Sequence, residues 1–176
     1  TKDIAWAPLL QRAFSMAVEA HRAGEPAIAL AGLPRRITPL WALEPLALNS
    51  LLSIVFSRPG VAKTWLLCAI AATLATGRSD ILGLAPARAM RVLFLDWEQD
   101  EHIIRDRLEQ IAGDVPDVRY LGCRGAIWDE IDRIERVISE ERIEYLLVDS
   151  VGMACGGVPP ETSEAALRFG STWRRI

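Results

Sequence analysis

Lys63 and Thr64 close a short loop, Ser57-Arg58-Pro59-Gly60-Val61-Ala62-Lys63-Thr64. It lies between the apolar run Leu51-Leu52-Ser53-Ile54-Val55-Phe56 and an apolar stretch that begins at Trp65. A strand, a tight loop ending in Lys-Thr and then a helix wraps backbone N–H groups around a phosphate chain. In such a loop Lys63 reaches the β- and γ-phosphates as a point charge, and the Thr64 hydroxyl holds Mg²⁺. The amides from Gly60 to Trp65 form the anion nest, reinforced by the helix N-terminus. These residue types at this spacing point to ATP. Two positions depart from Gly-x-x-x-x-Gly-Lys-[Ser/Thr]: Ser57 replaces the first glycine and Ala62 the second. Pro59 has no N–H to donate. If position 62 takes a positive φ, its methyl costs roughly 1–2 kcal/mol, about tenfold or a little more in affinity. The plainer alternative is a strand–turn–helix corner with a surface lysine.

Two acidic positions add to the loop. Tyr145-Leu146-Leu147-Val148-Asp149, followed by Ser150, is an apolar strand ending in a carboxylate suited to Mg²⁺. An aspartate in that place also serves as an ordinary cap or turn. Arg91-Val92-Leu93-Phe94-Leu95-Asp96 is a second strand and runs into Trp97-Glu98-Gln99-Asp100. Glu98 projects from the C-terminal edge of the sheet, where open α/β folds bind ligands. There it can polarise a water for attack on a γ-phosphate, or simply complement a helix N-terminus. Asp96 and Asp100 compete with it; the first reads as a strand end and the second as part of the first helical turn.

The elements that must position these groups follow from periodicity. Trp6, Leu10, Phe14, Ala17, Val18 and His21 recur at helical spacing, with Gly24 to close the helix. Pro26, Pro34, Pro39 and Pro45 mark residues 24–50 as irregular. Leu51–Phe56 reads as the first strand and Thr64–Thr76 as a helix ending at Gly77. After the Arg91–Asp96 strand, a helix carries Ile103, Ile104, Leu108 and Ile111 on its apolar side. Val118–Leu121 is a third strand. Ile127–Glu140 is amphipathic, with Ile131, Ile134, Val137 and Ile138 inward. Cys155 falls in a Gly- and Pro-rich loop, and Thr162–Arg174 is the last helix. Alternating strands and helices imply an α/β fold, a mostly parallel sheet with helices on both faces. The division is a lead-in over residues 1–50 and a core over 51–176.

Composition narrows the class. Half of the 176 residues are apolar, which excludes a disordered tail. A net charge of −3 does not announce a nucleic-acid binder. Three cysteines without paired spacing fit a reduced, cytoplasmic protein. The stretch from Trp65 to Ala75 is too short to span a bilayer, so no membrane is expected. Trp65 and Trp97 flank the proposed site and can stack a base or pack into the core; packing is the expectation. Arg124 reads as a surface arginine, or one that serves a neighbouring subunit.

Ser57–Thr64, Leu93–Glu98 and Leu146–Gly152 together resemble the RecA-like P-loop ATPases, above all the branch of RepA-like hexameric helicases and AAA-family ATPases of phages and plasmids. The resemblance runs from Leu51 to the C-terminus. It implies a RecA-like core with Lys63 and Thr64 on phosphate and Mg²⁺, Glu98 as the water-activating base and Asp149 on Mg²⁺. It also implies ATP hydrolysis coupled to DNA replication or recombination by a homo-oligomeric ring or filament, with single-stranded DNA as a partner. In that superfamily a further strand, between the phosphate-loop strand and the Asp149 strand, follows the last helix. The chain is therefore expected to be an incomplete domain, truncated at its C-terminus, with unpaired apolar strand edges. Two rival readings stay open. One is a regulatory or scaffolding subunit whose degenerate loop binds nucleotide with little turnover. The other is a small-molecule kinase, for which no acceptor constellation is visible.

Overall fold

The computed structural model describes residues 6–23, 29–34, 40–55, 58 and 60–175. The chain divides into two compact units, residues 1–37 and 38–176. The first contains α1 (Trp6–Ala23) and a 3₁₀ turn at Leu30–Gly32. α1 is the helix expected from the spacing, although Leu10 and Phe14 are exposed on it. Gly24, its expected stop, lies outside the described residues, as do Pro26 and Pro39.

The second unit is built on three parallel strands, β3 (Val92–Asp96), β4 (Val118–Gly122) and β5 (Tyr145–Asp149), in the order β4-β3-β5. Every residue of β3 is buried, as a central strand covered on both faces requires. Val92 and Phe94 face one core, together with α2 (Lys63–Thr76) and α3 (Glu101–Ala112). Leu93 and Leu95 face the other, together with α4 (Ile131–Glu141) and α6 (Ser163–Trp173). Helices thus cover both faces, as the alternation predicts. α2 is apolar on all sides and buried from Cys68 to Leu74, because it has neighbours all round. Gly77 ends it at φ 73, returning its N–H to the Thr73 carbonyl. α6 is capped by the Thr162 hydroxyl, which accepts the Ala165 N–H at 3.2 Å.

Four expectations are corrected. Leu51–Val55 is not a strand: it pairs with no strand among the described residues and exposes Leu51, Leu52, Ile54 and Val55 by 37–55 %. A strand exists only through a ladder, and β5 keeps its outer edge unpaired among the described residues. Phe56 lies outside them. Within the stretch read as irregular, β1 (Trp41–Leu43) and β2 (Ala47–Leu48) form an antiparallel hairpin. It forms because Ala42, Leu43 and Ala47 have a core to enter, beside α2. Ile103 is exposed; Ile104, Leu108 and Ala112 make the buried face of α3, with Ile111 at its margin. Cys155, read into a Gly- and Pro-rich loop, is not on the surface. It is buried just after the short helix α5 (Val151–Ala154), in the same core as Ile127 and Phe169.

Candidate functional site

β3 and β5 pair in register, so Asp96 and Asp149 stand side by side at the C-terminal ends of adjacent strands. Both are buried. Asp96 Oδ1 accepts the N–H groups of Glu98 and Gln99 at 2.8 and 3.2 Å, which sets the turn after β3. The Trp97 N–H donates to the Asp149 carbonyl at 2.9 Å and its indole to the Gly125 carbonyl at 2.7 Å. Tyr120 donates its hydroxyl to the Gln99 carbonyl at 3.0 Å. Asp100 caps α3, accepting from His102 and Ile103. Asp96 and Asp100 are thus engaged with backbone. Glu98 projects outward, and its Oε1 accepts the Ser150 hydroxyl at 2.7 Å.

The loop comes to the same end of the sheet. Gly60 and Ala62 both take positive φ, 79 and 62°, and α2 starts directly after Ala62. A left-handed alanine carries the steric cost anticipated from the sequence. Lys63 Nζ folds back to the Arg58 carbonyl at 3.3 Å. Thr64, in the first turn of α2, lies close enough to Asp149 to bear on its charge, and α2 packs against β5. Arg58 and Val61 are exposed, while Ser57 and Pro59 lie outside the described residues.

Burial pushes the Asp149 carboxyl above its usual range, and the Asp96 and Glu98 charges add to this. The neighbouring Thr64 hydroxyl and the Arg107 charge oppose it. Asp149 Oδ2 and Asp96 Oδ2 are buried without a hydrogen-bond partner among the described residues. Two orphaned carboxylate oxygens beside a threonine hydroxyl are a donor set for a hard divalent cation. Among the described residues no group of three or more His, Cys, Asp or Glu could form an all-protein cage. Mg²⁺ is commonly held by one or two carboxylates, with water and phosphate oxygens completing its shell.

Trp65 is exposed rather than packed into the core, and the Arg107 guanidinium lies 5.4 Å over its ring. Trp97 is half-buried and anchored by its indole, as packing requires. Sequence reasoning missed Arg107 and the Ser150–Glu98 contact. The signal for Arg107 was present: it is a basic residue on the stripe formed by Ile104, Leu108 and Ile111. Ser150 carried none, because its partner is 52 residues away. A depression of about 520 Å³ adjoins Trp97, lined also by Arg124, Trp128, Gly152, Met153 and Arg168. Neither Lys63 nor Asp149 borders it, so it is not the phosphate site.

Fold and sequence together define an AAA-type P-loop ATPase domain. A family model described as AAA domain matches residues 20–176, and the chain belongs to that family. No curated protein matches it. Among the described residues no helix is long and apolar enough to cross a membrane.

Proposed function

We propose that this AAA domain binds and hydrolyses ATP with Mg²⁺, and that Lys63, Thr64, Glu98 and Asp149 do the work. The observation that carries the reading is the pair of buried strand-end carboxylates, Asp96 and Asp149, side by side with one oxygen each left without a partner among the described residues. Glu98 stands just beyond Asp96, held by Ser150 just beyond Asp149, and α2, which begins at Lys63, packs against the Asp149 strand. The amides from Gly60 to Trp65 and the Lys63 ammonium take up the phosphates. Thr64 and Asp149 would hold Mg²⁺, which would supply charge neutralisation to the phosphates. Glu98 accepts the proton of a water whose oxygen bonds to the γ-phosphorus. The bridging oxygen leaves with ADP and its electron pair, and Glu98 returns the proton to solvent.

The wider role follows the resemblance to RepA-like helicases and phage or plasmid ATPases: a homo-oligomeric ring or filament acting on single-stranded DNA in replication or recombination. Phosphate release by the full-length protein, with Mg²⁺ or EDTA and with or without single-stranded DNA, tests both parts. Release that needs Mg²⁺ and rises with DNA supports them; Mg²⁺-dependent release indifferent to DNA removes only the second. A second reading is favoured by the left-handed backbone at Ala62: a regulatory or scaffolding subunit with an eroded loop. It is distinguished by tight ATP binding without turnover.

A further inference from the structure

Ser150 follows Asp149 in extended backbone and stands at the N-cap of α5. A serine at that position ordinarily turns its hydroxyl onto the first N–H groups of its own helix. Ser150 makes no such bond. Its hydroxyl instead crosses to the neighbouring strand's exit and donates to Glu98 Oε1 at 2.7 Å. The register explains how they meet: Asp96 lies opposite Asp149, so the residues just beyond each strand emerge together.

The rest of the Glu98 surroundings is already fixed. Its N–H is held by Asp96 and the preceding Trp97 is bound through both backbone and indole. What remains free is the side chain, which is long, exposed and rich in rotamers. A general base must lie within about 2.6–3.2 Å of the proton it takes, and small misplacements cost large factors in rate. A hydroxyl that grips one carboxylate oxygen leaves the other for water.

We infer that Ser150 is a positioning residue for Glu98, holding its carboxylate in the orientation from which Oε2 receives the proton of the attacking water. This rests on the hydrolysis reading above. The contact gives up a local cap for a long-range one, which a purely structural serine in that place has no reason to do.

Steady-state ATP turnover by full-length Ser150→Ala and Ser150→Thr tests it. The alanine variant is expected to lose about tenfold in kcat with KM for ATP changed less than about twofold. Threonine, which keeps the hydroxyl, is expected to recover most of the loss. In a Glu98→Gln background, Ser150→Ala is expected to add little, since both act through one group. Should the alanine variant fail to fold, Ser150→Cys, similar in size but a weak donor, carries the same expectations. A kcat within about twofold of the unsubstituted chain, a loss confined to KM, or full additivity with Glu98→Gln overturns the positioning role while hydrolysis stands. An unsubstituted full-length protein with no turnover overturns both.

Discussion

On the acid side, Asp96 binds two backbone N–H groups, Trp97 is anchored to β5 and to Gly125, and Glu98 is gripped by Ser150. On the loop side, Arg58, Gly60, Val61 and Ala62 are exposed, two of them at positive φ, and Lys63 folds back on a loop carbonyl. The contrast follows from what each side offers a ligand. Buried carboxylates are costly unless held in place, so their scaffold is built before any ligand arrives. Backbone amides of an exposed loop stay hydrated until an anion displaces the water, so the loop needs little prior support. Affinity should therefore reside in the loop and the cation beside Asp149, and rate in Glu98.

Glu98→Gln gives the largest expected effect that would sharpen this division. It should lower kcat by about 10²–10⁴ while the dissociation constant for Mg·ATP, measured by titration calorimetry, stays close to the unsubstituted value. A parallel loss of affinity would break it. Next comes the scaffold under the acid side. Gly156 has φ +60, and a Cβ there would meet Ala126 Cβ at 2.6 Å, next to the Gly125 carbonyl that holds Trp97. Gly156→Ala should destabilise the protein by about 2–3 kcal/mol in chemical denaturation. An unchanged midpoint would show that the scaffold yields freely.

Burial raises the Cys68 thiol to about 11 and the Cys123 thiol to about 12 from a usual 9.0. Unfolded thiols therefore lose their protons first as pH climbs above 9. Stability should fall across pH 9–11, and alkylation at pH 8 should be slow at both cysteines and track unfolding. Rapid reaction at Cys68 alone would place the looseness of the loop inside α2 as well. The smallest effect is expected at Ala62. Ala62→Gly relieves a left-handed methyl worth roughly 1–2 kcal/mol and adds about 0.5–1 kcal/mol of backbone entropy cost. ATP affinity should tighten by about two- to fivefold; unchanged affinity would show that the strain is not felt in binding.

What could be read from residue order was what is decided locally. β3 and β5 are short apolar runs ending in Asp, and α2 stops at a glycine; a positive φ at Ala62, where the motif has glycine, was an open condition that the backbone meets. Leu51–Val55 could not be read correctly, because an apolar run becomes a strand only if another strand pairs with it. The hairpin at 41–48 was hidden behind its prolines, since its reason for forming is the core that receives Ala42 and Leu43. In the candidate site, Lys63, Thr64, Glu98 and Asp149 stood out in the sequence as residue types. The pairing of Asp96 with Asp149, the Ser150–Glu98 contact and the placing of Arg107 over Trp65 depend on tertiary register, which no short segment contains.

The most direct test is calorimetric titration of ATP into the full-length protein with Mg²⁺, the same with EDTA, and the same with Mg²⁺ into Lys63→Ala. Tight binding in the first, weakened by EDTA and lost in Lys63→Ala by about a hundredfold or more, is the expected outcome. Equal affinity in all three would mean that neither the loop nor a cation held beside Asp149 grips the nucleotide.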